Sequence, residues 1–203
     1  MADPDDLLRR PATRPDRTVR YGPHPDQIAD LWLPASAGPQ ALVVWLHGGF
    51  WRARHNRAHV KPMCAALATQ GYAVCAFEYR RVVQPADDWP SIFDDIAAGL
   101  DAVPHLFGDL VNSDRLVLLG HSAGAHLALW AAARQRQPPG SRWRPDEPMP
   151  TTGVVALEGV CDLELPSRLP PVSAWVLSRL RRPPHTQPDL AAVPVPLRLA
   201  PTG

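Results

Sequence analysis

The feature that most constrains this sequence is a serine that lies between two glycines at the end of an apolar run. The run covers residues 116–119, and the motif after it reads Gly120-His121-Ser122-Ala123-Gly124. Glycines on both sides of a serine allow a sharp, strained turn from a strand into a helix, because neighbouring backbone can approach closely. Such a turn places the Ser122 hydroxyl at the carboxyl edge of a sheet, where open α/β folds carry their sites. We therefore expect a reactive serine, with the N–H of Ala123 able to donate to a developing oxyanion.

A second motif follows another apolar run in the same way. Residues 41–46 are apolar throughout, and the sequence then continues His47-Gly48-Gly49-Phe50-Trp51. Two successive glycines allow a backbone turn whose N–H groups point at a substrate oxygen, which would complete an oxyanion hole beside the serine. The alternative interpretation is a glycine turn whose aromatic residues pack locally.

The alternation of short apolar runs with helical stripes predicts the fold class. Four runs have the continuous apolar character of strands that are buried on both faces, namely 41–46, 72–77, 116–119 and 154–157. Between them, apolar residues recur at helical spacing in three segments, namely 60–68, 91–103 and 125–133. The pattern indicates an α/β protein with a doubly wound, mostly parallel sheet.

The domain organisation is expected to be simple. Residues 1–17 are polar and rich in proline and arginine, which predicts a mobile lead-in, and residues 18–203 predict a single domain. Inside that domain, the alternating run 28–33 predicts an early strand, 172–180 a short helix and 194–199 one more strand.

Composition excludes several classes of partner. The chain has 21 basic and 20 acidic residues, so neither a nucleic acid nor an anionic membrane is indicated. Acidic residues occupy the start, where a signal peptide needs basic ones, and no run approaches the ~18 apolar residues of a membrane helix. The three cysteines are irregularly spaced and odd in number, which argues against a disulfide framework. We expect a cytoplasmic protein.

These motifs resemble those of small α/β-hydrolases of the esterase and arylformamidase (kynurenine formamidase-like) group. The resemblance covers roughly residues 19–165 and rests on five short segments, namely 21–23 (Tyr-Gly-Pro), 47–51, 78–81 (Glu-Tyr-Arg-Arg), 120–124 and 159–163 (Gly-Val-Cys-Asp-Leu). It implies small esters or aryl formamides as substrates, and no cofactor or metal.

The resemblance also assigns roles to residues. It implies Ser122 as the nucleophile and the backbone N–H groups of Gly49, Phe50 and Ala123 as the oxyanion hole. Four further residues become candidates for the substrate pocket, namely His47, Gly48, Trp51 and His121.

The sequence departs from that group after the nucleophile. In this fold the triad follows the order serine, acid, histidine, and the group carries its acid beyond a seventh strand and its histidine beyond an eighth. Here the candidate seventh strand, which covers residues 195–200 when its apolar run is counted, is followed only by residues 201–203. We therefore expect a domain that is incomplete at its C-terminus, lacking its final strand or strands and helix. Such a domain would self-associate through an exposed sheet edge and have weak activity or none.

Other residues could replace the missing acid and base. Asp162 follows the fourth buried run and His185 lies in a predicted loop, so both are candidate substitutes. His126 lies one helical turn after the nucleophile, where a packed histidine is the expected role. Three hypotheses remain open: an impaired hydrolase from a truncated or frame-altered chain, a working esterase with a rearranged base, and a non-catalytic binding module that keeps the pocket.

Overall fold

The computed structural model describes residues 12–81 and 90–160, which contain a six-stranded sheet. Its strands are β1 (Arg17–Arg20), β2 (Ile28–Trp32), β3 (Gln40–Leu46), β4 (Ala73–Phe77), β5 (Val111–His121) and β6 (Thr151–Leu157). The helices of the described residues are α1 (Lys61–Thr69), α2 (Ser91–Phe107) and α3 (Ala123–Ala132), with 3₁₀ turns at Arg57–Val60 and Arg134–Arg136. None of α1, α2 and α3 combines the length and the apolar character that a membrane span requires.

The sheet is mixed but mostly parallel. Its spatial order is β1-β2-β4-β3-β5-β6. Strands β4, β3, β5 and β6 run parallel, whereas β1 pairs antiparallel with β2, and β2 antiparallel with β4. The carboxyl ends of the four parallel strands therefore meet at one edge, and the residues that follow them gather there. This topology confirms the predicted fold class.

Strand β3 shows why its run is apolar throughout. Leu42, Val44 and Leu46 pack in a core that also contains apolar residues of α2 and α3. Val43 and Trp45 belong to a second core with residues of α1. Because successive side chains of a strand point to opposite faces, a central strand covered on both faces needs an apolar residue at every position.

One strand was not predicted from the sequence. β1 is an edge strand whose residues are exposed except for the half-buried Val19, so it lacks an apolar pattern. The N–H of Asp16 donates to the carbonyl of Leu31 at 2.8 Å, so the end of the segment predicted as a lead-in lies along β2. The predicted helix 172–180 and strand 194–199 lie outside the described residues.

Candidate active site

Ser122 occupies a strained turn between β5 and α3. Its backbone has φ 53° and ψ −118°, a conformation that non-glycine residues rarely adopt and that costs on the order of 1–3 kcal/mol. The turn is fixed by hydrogen bonds on both sides. The Ser122 N–H donates to the carbonyl of Leu157 at 2.8 Å, and the Ser122 carbonyl accepts from the N–H of Ala125 at 3.0 Å. The strain therefore persists because β6 and α3 hold the turn.

The two glycines of the motif are required by close backbone contacts. A Cβ on Gly120 would lie 2.1 Å from the carbonyl oxygen of Gly124, and a Cβ on Gly124 would lie 2.0 Å from the carbonyl oxygen of Leu46. Both separations are far below van der Waals contact. The second contact shows that the start of α3 crosses directly over the end of β3, and this crossing brings the two predicted motifs together.

The segment 47–57, which we call the oxyanion loop, lies against this turn. A Cβ on Gly48 would lie 2.7 Å from the His121 carbonyl oxygen and 3.2 Å from Ser122 Cβ. Three successive residues of the loop have positive φ, namely Gly49 (118°), Phe50 (52°) and Trp51 (58°). Two of them are not glycine, so the loop stores backbone strain beside the serine.

The three N–H groups proposed for the oxyanion hole lack an acceptor in the part of the chain that the structure describes. In residues 12–81 and 90–160, the N–H groups of Gly49, Phe50 and Ala123 donate to no backbone or side-chain acceptor. Ala123 is the first residue of α3, where the helix has no internal acceptor for its N–H. An oxyanion hole requires N–H donors of this kind, free of acceptors within the protein.

His47 is buried beneath the oxyanion loop. Its side chain is 1% exposed, its Nε2 lies 2.8 Å from Glu78 Oε1, and its Nδ1 lies 2.8 Å from the Gly48 carbonyl oxygen. The ring of Tyr79 stacks on the imidazole with centroids 4.4 Å apart, and the Tyr79 hydroxyl donates to the His47 carbonyl at 2.7 Å. These contacts hold the first residue of the loop on several sides.

The buried Glu78 carboxylate lies within reach of several hydrogen-bond donors and positive charges. Besides His47, it accepts from the N–H of Arg57 at 2.9 Å, and Arg81 Nε lies 3.3 Å away. Burial acts to raise the pKa of Glu78, but the hydrogen bond and charge of His47, the Arg57 N–H and the charge of Arg81 together lower it. The carboxylate is therefore ionised at neutral pH.

Trp51 and His126 connect the loop to α3. Trp51 is 2% exposed, and its ring meets that of His126 edge to face with centroids 5.6 Å apart. Within residues 12–81 and 90–160, the buried atoms His126 Nδ1 and Trp51 Nε1 have no hydrogen-bond partner. Burial lowers the pKa of His126 to about 4, so its imidazole is neutral at physiological pH.

The structure separates the four candidates for the substrate pocket. The side chains of His47 and Trp51 are almost fully buried, which departs from the expectation that they line the pocket, because both rings pack inside the protein. Gly48 is buried against the serine turn. His121 is 45% exposed, and its Nε2 lies 3.6 Å from Glu158 Oε2. Of these four residues, His121 alone offers a side chain at the surface near Ser122.

A base for Ser122 is not found in the part of the chain that the structure describes. No side chain of residues 12–81 or 90–160 forms a hydrogen bond with the Ser122 hydroxyl. Asp162 and His185, the candidate substitutes, lie outside the described residues.

Residues 12–81 and 90–160 contain no group of three or more His, Cys, Asp or Glu side chains that could hold a metal ion. A small cavity lined by Leu100, Leu116 and Met149 includes neither Ser122 nor any residue of the oxyanion loop.

The sequence motifs predict a role for Ser122 and for three N–H donors, but they carry no sign of the contacts beneath the oxyanion loop. Glu78 and Tyr79 belong to a segment that the resemblance quoted, yet their contact with His47 spans two strands and is visible only in three dimensions. The sequence did contain a signal for Glu78. A polar residue directly after a buried strand lies at the same sheet edge as the ends of the other parallel strands.

Comparison with known proteins agrees with this geometry. A family model described as BD-FAE matches residues 29–171. The "Probable isoprenylcysteine alpha-carbonyl methylesterase ICMEL1" of Arabidopsis thaliana is 30% identical over 121 residues, which cover 59% of this chain and 25% of that protein. Kynurenine formamidase of Danio rerio is 29% identical over 120 residues, which cover 59% of this chain and 39% of that protein. The aligned part of the chain thus spans less than half the length of either curated relative.

The fold recurs in solved esterase structures. The crystal structure of esterase B from Lactobacillus rhamnosis superposes with a TM-score of 0.72 and 25% identity, covering 92% of this chain and 62% of that chain. The native structure of a thermophilic esterase from Thermogutta terrifontis superposes with a TM-score of 0.57, covering 71% of this chain and 53% of that chain. At 21% identity, the latter shows the fold alone.

Proposed function

Because this chain belongs to the BD-FAE family, we propose that it derives from an esterase-type serine hydrolase with Ser122 as the nucleophile. The observation that carries the proposal is the strained turn of Ser122 beside three N–H groups without acceptors in the described residues. Small esters or aryl formamides are the proposed substrates, a class supported by the methylesterase and the formamidase among the relatives.

The proposed reaction starts with attack of Ser122 Oγ on the carbonyl carbon of the substrate. The carbonyl oxygen becomes an oxyanion and accepts hydrogen bonds from the N–H groups of Gly49, Phe50 and Ala123. One such donor accelerates turnover on the order of 10²–10³-fold. Collapse of the tetrahedral intermediate expels the alcohol or amine and leaves an acyl-serine, which water then hydrolyses. Both steps require a group that accepts and returns the serine proton.

We propose that this proton transfer is what limits the 203-residue chain. After Ser122 the sequence contains two histidines, His126 and His185. His126 is buried, and with a pKa of about 4 it is a poor base. Removing the histidine of a triad costs on the order of 10⁶-fold in turnover, while the oxyanion hole and binding retain roughly 10³-fold over water. We therefore propose weak turnover, with Asp162 and His185 as the residues to test for a substitute acid and base.

A second candidate function is a binding module that keeps the pocket without the chemistry. In the described residues, no side chain forms a hydrogen bond with the Ser122 hydroxyl, and this observation favours the alternative. Such a module would bind an acid or ester at the three N–H donors and release it unchanged.

Added imidazole distinguishes the two candidates, because it supplies the base from solution. We expect hydrolysis of 4-nitrophenyl acetate by the wild type to rise with imidazole concentration more steeply than by Ser122→Ala. Ser113→Ala is the matched control, since Ser113 lies in β5 well before the turn and should follow the wild type. Identical slopes for the wild type and Ser122→Ala would contradict the nucleophile assignment. If butyrate binding were then found by calorimetry, the binding module would stand instead.

A robust rate without imidazole would indicate a substitute base. If Ser122→Ala abolished that rate, His185→Ala, His126→Ala and Asp162→Asn would identify the partner by loss of activity. Such a result would overturn the proposal of weak turnover but keep Ser122 as the nucleophile.

A further inference from the structure

We propose that Glu78 is a positioning residue for the oxyanion hole, because its one carboxylate holds both ends of the oxyanion loop. This inference rests on the proposed function, since it assigns Glu78 a role in placing the donors Gly49 and Phe50. Glu78 itself is 2% exposed and lies beneath the loop, so it acts through other residues.

The two oxygens of Glu78 reach opposite ends of the loop. Oε1 lies 2.8 Å from Nε2 of His47, the first residue, and Oε2 accepts from the N–H of Arg57, the last residue, at 2.9 Å. Gly49 and Phe50 lie between these two anchors. A single side chain therefore connects the two ends of the loop.

The surroundings fix the carboxylate in turn. Arg81 Nε lies 3.3 Å from Oε1 and Arg57 Nη1 lies 3.7 Å from Oε2. Arg57 also pairs with the buried carboxylate of Asp30 through Nε at 2.9 Å. Buried charges with several hydrogen bonds hold a well-defined geometry, since each lost contact would leave a charge unpaired in a medium of low polarity.

The backbone of the oxyanion loop needs a contact that holds its two ends, for a physical reason. Three of its residues have positive φ, two of them not glycine, and a free chain would relax away from that conformation. Donor groups must also be held within about 0.5 Å of the productive geometry to be effective. A carboxylate that joins the two ends meets both requirements without touching the substrate.

The test compares variants at Glu78 with a control at another buried carboxylate. Glu78→Ala removes both contacts, whereas Glu78→Gln keeps the length of the side chain and one acceptor oxygen. Asp95→Asn is the control, since Asp95 is fully buried and binds Arg80 and Gln27 rather than the oxyanion loop. Thermal unfolding of each variant establishes that it folds.

Hydrogen exchange measured by mass spectrometry reads the loop without requiring turnover. We expect amide exchange in residues 47–57 to accelerate at least ~10-fold in Glu78→Ala relative to its own α1 and β4 peptides. Glu78→Gln should recover most of the protection, and Asp95→Asn should leave the ratio unchanged. A uniform acceleration of all peptides in Glu78→Ala would overturn the inference, because it would show a general loss of stability.

Kinetics with imidazole provide the second measurement. We expect Glu78→Ala to lower the imidazole-dependent kcat by about 10²-fold or more, with a smaller change in KM, because donors are misplaced in the transition state. An unchanged kcat would overturn the inference. Absence of any Ser122-dependent rate in the wild type would defeat the proposed function instead, and the exchange measurement would still decide how Glu78 holds the loop.

Discussion

Gly48 lies directly against Ser122, so close that a Cβ on the glycine would stand 3.2 Å from the Cβ of the serine. The two residues belong to loops that follow β3 and β5, which are neighbours in the sheet. This contact places the start of the oxyanion loop beside the proposed nucleophile. The site is therefore a product of strand order, with each half contributed by a different strand end.

We predict that Gly48→Ala separates these halves. The added methyl group would lie 2.7 Å from the His121 carbonyl oxygen, so the backbone of one loop must move. The imidazole-dependent hydrolysis of 4-nitrophenyl acetate should fall about 10²-fold, as expected for loss of one oxyanion donor. The thermal midpoint should change by a few degrees at most, at about 2–4 °C per kcal/mol. Wild-type kinetics in Gly48→Ala would show that this contact does not set the donor geometry.

Within the turn, the position where α3 crosses β3 is expected to tolerate a larger side chain least. Gly124→Ala would place a methyl group 2.0 Å from the Leu46 carbonyl oxygen, and neither backbone can yield easily. We predict a loss of about 3 kcal/mol in the free energy of unfolding and a midpoint about 6–12 °C lower. Gly153→Ala is the control, because a Cβ there has no neighbour within 4 Å. Equal unfolding curves for the two variants would contradict the crossing.

His126 makes stability depend on pH. Its pKa is about 4 in the folded chain, against 6.5 for an unperturbed imidazole, because burial disfavours the cation. The unfolded chain therefore binds a proton more readily, and stability is full above about pH 6.5 and falls as the pH drops toward 4. We predict that His126 lowers the free energy of unfolding by about 2 kcal/mol between pH 7 and pH 5.

Urea unfolding of the wild type and His126→Phe checks this pH dependence. The variant should lose less stability than the wild type between the two pH values, while His59, whose pKa is also lowered to about 4, continues to contribute in the same direction. Parallel losses in both proteins would indicate that His126 is not buried as the structure describes.

β6 is an outer strand of the sheet that residues 12–81 and 90–160 form, and its exposure predicts self-association. β6 is mostly exposed, and its Val155 and Leu157 are 40% and 39% exposed. An exposed strand with apolar side chains favours pairing between chains. We expect the mass from light scattering to rise with protein concentration, and Val155→Lys to suppress that rise. A constant monomer mass up to high concentration would count against association through this edge.

The strands that could be predicted from the sequence are those that are buried on both faces. Strands β3 and β4 are covered on both faces, so burial imposes continuous apolar runs that are readable without a structure. β1 has one half-buried residue and leaves no such trace. β5 starts at Val111, earlier than its apolar run, because residues 113–115 extend the strand where it is partly or fully exposed.

The same distinction applies to the site. Ser122, Gly49 and Ala123 could be proposed from the sequence because the roles proposed for them depend on local backbone geometry, which a short motif encodes. The contact between Glu78 and His47 depends on the spatial order of β3 and β4, and no local pattern reports it. The sequence also left open whether Trp51 packs locally or lines the pocket, since an aromatic residue after a glycine turn can point either way.

A phosphonate ester shows whether Ser122 is a nucleophile that faces an oxyanion hole. Such a reagent forms a stable covalent bond to an activated serine and presents its phosphoryl oxygen to the same donors. The measurement is peptide mass spectrometry after incubation with a 4-nitrophenyl alkylphosphonate in the presence of imidazole. We predict one adduct, located on Ser122, and none on Ser122→Ala. An unmodified Ser122, or an adduct on another residue that persists in Ser122→Ala, would contradict the assignment of Ser122 as the nucleophile.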